Sequence, residues 1–260
     1  MKLNWIVAIA SFALLISCGE VAKEEEQAQP DIFPAASGFN FQESDSAAIA
    51  IADSVALAMG GKANYDAVRY LNFDFFGARK HFWDKKEGLL RIESNRTDLK
   101  IICDLNTDTG RVFIYGEEQS NPDSIAKFME VAKAMWINDT YWLLFPFKLK
   151  DSGVTLKYLG MKTDLKDSPC HALQLTFNEV GETPENKYLA YVHPDTYMVT
   201  QWDFYRNARD SIPAIVSPFD SYEDFEGIKI STQRGKYGFP EVAVFKDIPD
   251  SLHYSLFNVL

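Results

Sequence analysis

Three cysteines and four histidines are all that the chain offers to thiol or soft-metal chemistry. So few cysteines exclude a multi-bridge disulfide scaffold and a multi-cysteine zinc module. Positive charge is also scarce, with 26 Lys and Arg against 37 Asp and Glu and a formal net charge of -11. Binding a phosphate backbone needs a basic surface, so nucleic acid is not an expected partner. Catalytic signatures are missing too: G-x-S-x-G, H-E-x-x-H and the P-loop do not occur. None of His81, His171, His193 and His253 forms a close pair or stands beside a cysteine at ligand spacing, so neither metal nor cofactor is expected. Aromatic residues, in contrast, are abundant, at 14% of 260 residues. The hydrophobic share of 47% and charged share of 24% are those of a globular chain.

One long apolar run, Trp5 to Ile16, follows Lys2. A bilayer span needs about 20 apolar residues, so the run fits the core of a secretory signal peptide instead. It ends in Leu15-Ile16-Ser17-Cys18-Gly19, which resembles a bacterial lipobox. That reading makes 1–17 a lipoprotein signal peptide and Cys18 the lipidated residue. An ordinary signal peptide with a chance cysteine is the alternative. Several acyl chains on one residue anchor stably where one chain does not. Residues 18–40 are polar and acidic with Pro30 and Pro34, and they read as a flexible tether. Within it, Lys23-Glu24-Glu25-Glu26 resembles the Lys-acidic export signal of Bacteroidetes surface lipoproteins, or is a solubilising charge run. The expected location is the cell envelope, lipid-anchored at the outer membrane on its periplasmic face or at the cell surface.

Residues 41–260 read as one domain. Ser44 or Asp45 is a candidate cap for a helix in which Ala48, Ile51, Ala52, Val55 and Met59 recur at helical spacing, and Gly60-Gly61 ends it. A long series of period-two segments follows. In Val68–Phe76, Leu71, Phe73 and Phe75 share one face, opposite Asn72 and Asp74. Asn121 and Pro122 open a second helix with a stripe of Ile125, Phe128, Met129, Ala132 and Trp136 that should stop near Asn138. Strands then resume, and His171–Phe177 places Leu173 and Leu175 on one face. The connections are too short for parallel crossovers. The expected fold is mainly β (α+β), an open antiparallel β-barrel of about ten or eleven strands in one large curved sheet, with helices packed on its concave side.

His171 is expected as a core histidine, and His81 and His193 at strand surfaces or rims. Cys103 and Cys170 either pair in an oxidising compartment or are small buried thiols. Asp139, Asp151, Glu179 and Glu182 lie near turns, where caps and Asx-turns are the usual role of acidic residues. Asn138 and Asp139 are expected to cap the helix. No catalytic residue is identified and an enzyme is not expected.

The segment Ala134–Gly153 reads AMWINDTYWLLFPFKLKDSG and is the most distinctive in the chain. It resembles a family of uncharacterised Bacteroidetes lipoproteins with an IND-YWLL-PFKL-D-G signature. Phe82-Trp83-Asp84, the stretch from Leu175-Thr176-Phe177 through Val180-Gly181-Glu182-Thr183-Pro184, and the strand from Trp202 to Arg206 support the likeness. The resemblance implies a LolA/LolB-like lipoprotein-carrier fold, with helices plugging an unclosed barrel around an apolar cavity. It implies no activity. Trp136, Tyr141, Trp142, Phe145 and Phe147 then form either a packed cluster or the rim of such a cavity, with Lys148 and Lys150 meeting an anionic headgroup or simply solvated. Three functions remain open: non-catalytic binding of a lipid or acyl chain, a non-catalytic envelope interaction protein with a filled barrel, and an enzyme. For the first, Leu71, Phe73, Phe75, Trp83, Trp136, Tyr141, Trp142, Phe145, Leu173, Leu175 and Trp202 are the expected cavity or rim residues. A monomer is expected, and no protein partner is identified.

Overall fold

A computed structural model describes residues 33–178 and 184–258. Helix α1 (Ser46–Ala58) buries Ala48, Ala52, Val55 and Ala56. Asp45 occupies its cap position, but neither Asp45 nor Ser44 caps it with a side chain. Asp45 Oδ2 accepts from Tyr158 N at 2.9 Å and Ser44 Oγ accepts from Leu156 N at 3.0 Å. Gly60 ends the helix in the left-handed region at φ 118°, and a short helix, α2 (Gly61–Ala67), follows.

A meander then forms β1 (Tyr70–Phe75), β2 (Arg79–Asp84), β3 (Leu89–Ser94), β4 (Leu99–Asp104), β5 (Thr109–Ile114) and the two-residue β6 (Glu117–Glu118). Helix α3 (Pro122–Leu144) starts as its sequence requires, with Asn121 Oδ1 accepting from Ser124 N at 2.9 Å. It does not stop near Asn138, and runs on to a 3-10 turn at Phe145–Phe147. After it come β7 (Val154–Thr163), β8 (Pro169–Phe177), β9 (Lys187–Val192), β10 (Val199–Tyr205), β11 (Ile215–Pro218), β12 (Asp220–Phe225), β13 (Ile228–Gln233) and β14 (Val242–Phe245), and last helix α4 (Asp250–Phe257).

The fold is mostly β with some helices, and its strand pairs are antiparallel. Two expectations are corrected. The described residues hold fourteen strands, the additional ones being β6, β11 and β12. They form three sheets in place of one curved sheet: β14-β1-β2-β3-β4-β5-β6, β11-β10-β9-β8-β7, and the hairpin β12-β13. Helix α3, about 35 Å long at 1.5 Å per residue, lies between β6 and β7 in the chain, and these two edge strands do not pair. No sheet closes into a barrel among the described residues.

Phe33 and Phe39 belong to the buried core, and Ala36 N donates to Lys150 O at 2.9 Å. The last part of the expected 18–40 tether is therefore packed, and the rest of it, with the signal peptide and Cys18, lies outside the described residues.

Candidate functional site

Strands β1 and β2 pair with Phe73 opposite His81, Phe75 opposite Arg79 and Leu71 opposite Trp83. Period two then sends all six side chains to the face that meets α3. His81 stacks on Phe73 with centroids 4.6 Å apart, and the Arg79 guanidinium lies 4.8 Å from the Phe75 centroid. Helix α3 completes the site with one carboxylate. Asp139 receives Arg79 Nε and Nη2 at 2.6 Å each, His81 Nε2 at 2.6 Å, and Asn138 Nδ2 at 2.8 Å. The His81 and Asp139 side chains have no exposure at all. Burial outweighs the pull of Asp139 and lowers the His81 pKa, so the ring is neutral. A carboxylate only accepts, so Nε2 carries the proton. Nδ1 is then a buried acceptor without a partner among the described residues.

Two expectations change here. Asn138 and Asp139 are not caps, because the helix continues past them. His81 is fully buried and not at a surface. The alternation Arg79, His81, Trp83 was the available signal, but two polar side chains on one strand face ordinarily point outward. His171 is half-buried, not a core residue, and pairs through Nδ1 with Tyr158 OH at 3.0 Å.

The second half of α3 builds an aromatic interior. Trp136 meets Trp83 edge-on at 5.3 Å. Trp142, Phe145 and Tyr188 surround Trp202 at 4.3, 4.6 and 4.8 Å, and Tyr141 lies 5.5 Å from Tyr188. Leu71, Phe73, Phe75 and Trp83 enter from the larger sheet, and Leu173, Leu175 and Trp202 from the five-stranded one. All eleven residues expected at a cavity or rim belong to this one core or pack against it. They do share an interior, and ring contacts fill it. Within it Trp83 Nε1, Trp136 Nε1, Tyr141 OH and Trp202 Nε1 are buried donors with no acceptor among the described residues. Burial holds the Tyr141 phenol well above its ordinary pKa, so it stays a donor.

Lys148 and Lys150 do not wait for a headgroup. Lys148 pairs with Asp151 at 2.9 Å, and Lys150, its side chain 3% exposed, pairs with Asp53 at 2.5 Å. Beyond the helix end lies a residue the sequence did not announce. Arg234, 1% exposed, donates to Trp142 O, to Leu143 O at 3.1 Å and to Ser231 O at 3.2 Å. Its guanidinium stands 3.8 Å from the Phe219 centroid. A cation at the negative end of α3 is favourably placed. Burial still lowers its pKa to about 9.

Cys103 and Cys170 are both buried free thiols, so the disulfide alternative falls. Burial pushes the Cys103 thiol up to about 12, far from a nucleophile's range. Among the described residues no group of three or more His, Cys, Asp and Glu could hold a metal ion.

No family model matches the chain. No curated protein matches it significantly. Solved structures with which it aligns include a DUF1329 family protein from Desulfovibrio piger, at 15% identity and a TM-score of 0.42, covering 80% of this chain and 98% of that one. Another is a LolA superfamily protein from Nitrosomonas europaea, at 9% identity and a TM-score of 0.36, covering 70% and 86%. A third is a candidate outer membrane lipoprotein-sorting protein domain from Vibrio parahaemolyticus, at 9% identity and a TM-score of 0.30, covering 71% and 79%.

Proposed function

We propose that the protein binds, without catalysis, an acyl chain or similar apolar ligand between α3 and the two larger sheets, while Cys18 anchors it in the envelope. The observation that carries the reading is the set of four buried donors in the aromatic interior, Trp83 Nε1, Trp136 Nε1, Tyr141 OH and Trp202 Nε1. A buried donor left unpaired costs about 1–3 kcal/mol. An ester or carboxyl oxygen at the head of an apolar chain would accept from one or more of them. Because rings fill the interior, entry requires 134–150 to move away from Trp83 and Trp202. Ligand burial would offset this at about 0.8 kcal/mol per methylene.

Displacement of an apolar dye by fatty acids of increasing length tests the proposal. The expected result is an affinity that rises with chain length and responds little to salt, with 134–150 changing its hydrogen exchange. The close ring packing favours a second reading, an envelope interaction protein with a permanently filled interior. No displacement at any length would select it. The anchor has its own test. Wild type should carry lipid and fractionate with membranes, and Cys18→Ser should do neither. The lipobox supports a lipid anchor in the envelope, and the outer membrane is the proposed location.

A further inference from the structure

The seven-stranded sheet ends at β14, which pairs with β1 alone. Asp74 N donates to Glu241 O at 2.9 Å, and the register then holds to Tyr70 opposite Phe245. In an antiparallel pair alternate residues carry the ladder bonds, so Glu241, Ala243 and Phe245 turn their main-chain groups toward β1. The N–H and C=O of Val242 and Val244 point the other way, out of the sheet. They have no partner among the described residues. An open cleft of about 660 Å³ lies beside this edge. Glu241, Val242 and Ala243 line one side of it, and Glu223, Phe225 and Thr232 of the β12-β13 hairpin line the other. The edge is reached from solvent: Val242 and Ala243 are half-buried and Phe245 is exposed.

A bare strand edge is a template for another extended main chain, whose N–H and C=O groups repeat at the same spacing. The surroundings select its side chains. Phe76, Phe225 and Pro240 offer apolar seats in the cleft. The cations near the edge are occupied: Lys80 pairs with Glu241 at 2.6 Å, Lys246 with Glu226 at 3.5 Å, and Lys236 Nζ lies 5.0 Å from the Tyr237 centroid. Carboxylates are left over. Glu223 accepts only from Thr232 Oγ1 at 2.7 Å, Asp224 from Gly227 N at 2.9 Å and Asp247 from Ile248 N at 3.0 Å, and none of the three has a cationic partner among the described residues. A second copy on this edge would bring the same acidic rim with it, between chains of net charge -11. We infer that β14 and the cleft beside it bind an extended segment of a partner protein as an added strand, one in which apolar residues alternate with lysine or arginine. The inference does not rest on the interior site, and either can fail alone.

Titration of the full chain with a fluorescein-labelled, acetylated peptide of alternating valine and lysine, followed by anisotropy, tests it. Saturable binding is expected, and it should weaken as salt is raised. Residue-resolved hydrogen exchange should show new protection at the Val242 and Val244 amides. The same peptide with every backbone nitrogen methylated should not bind, and one with glutamate in place of lysine should bind far less. Val242→Pro removes an outward N–H and none of the bonds to β1, and should weaken binding about tenfold. Glu223→Lys combined with Asp224→Lys should weaken it by a similar factor, about tenfold, and serves if the proline variant fails to fold. Absence of binding overturns the inference. So does binding that spares the Val242 and Val244 amides, that survives methylation, or that the glutamate peptide matches. Protection of these amides in the unliganded chain, together with a dimer in sedimentation, gives the edge to a second copy and overturns it as well.

Discussion

Asp139 is the residue that ties two elements together. It joins α3 to β2 through Arg79 and His81, and its own side chain has no exposure. Asp139→Ala would strand a largely buried guanidinium, and removing one partner from such a pair costs about 3–5 kcal/mol. Urea unfolding should show that loss. His81 adds a pH dependence. Burial holds its folded pKa below the value of about 6.5 expected for the unfolded chain. The unfolded state therefore takes up the proton first. The stability due to neutral His81 is fully present above about pH 6.5, and is lost as pH falls from there toward the folded value. His81→Phe keeps the stack on Phe73 and cannot titrate. Its unfolding free energy should change less between pH 7.5 and pH 5 than that of wild type. Among the aromatics, Trp202 has zero exposure and Trp136 is half-buried. Trp202→Ala should cost about 3–5 kcal/mol, and Trp136→Ala less.

At the level of elements, α3 connects the two larger sheets. Its first turns bury Met129 and Ala132, and its later turns carry Trp142 and Leu143 into the core. Arg234 holds the far end by receiving two of the last helical carbonyls as partners. Arg234→Met keeps much of the volume and removes the donors. Each buried carbonyl left bare costs about 1–3 kcal/mol. Hydrogen exchange in 141–147 should accelerate, while Met129 to Ala132 keep their protection. The start of α3 was readable from Asn121, Pro122 and the apolar stripe. Its end was not, because Asn138 and Asp139 look like a stop signal when their partners on β2 are unknown. Helix α4 went unread for a related reason. It buries only Phe257 and is tied to the outer face of β3 by Arg91, which donates to Ser255 O at 3.2 Å.

For the whole molecule, the interior is the place where packing and binding compete. If the proposed ligand enters, each added methylene should strengthen dye displacement about fourfold until the chain outgrows the space. Tryptophan emission should change with it, since Trp142 and Trp202 stand at the centre. An interior that stays closed would show neither effect.

The order of eleven of the strands around one long helix was settled by the sequence alone, because alternation and capping are local properties of the chain. Antiparallel pairing followed from short connections, and the common face of Leu71 with Phe73, and of Leu173 with Leu175, from spacing within each strand. The tertiary structure decided what depends on residues distant along the chain. It brought Asp139 to Arg79 and His81 across about 60 residues. It buried Arg234 against the end of α3, divided the strands into three sheets, and filled the aromatic interior while leaving four of its donors unpaired. Hydrogen-bond geometry and burial are relations between distant segments, and no local pattern encodes them.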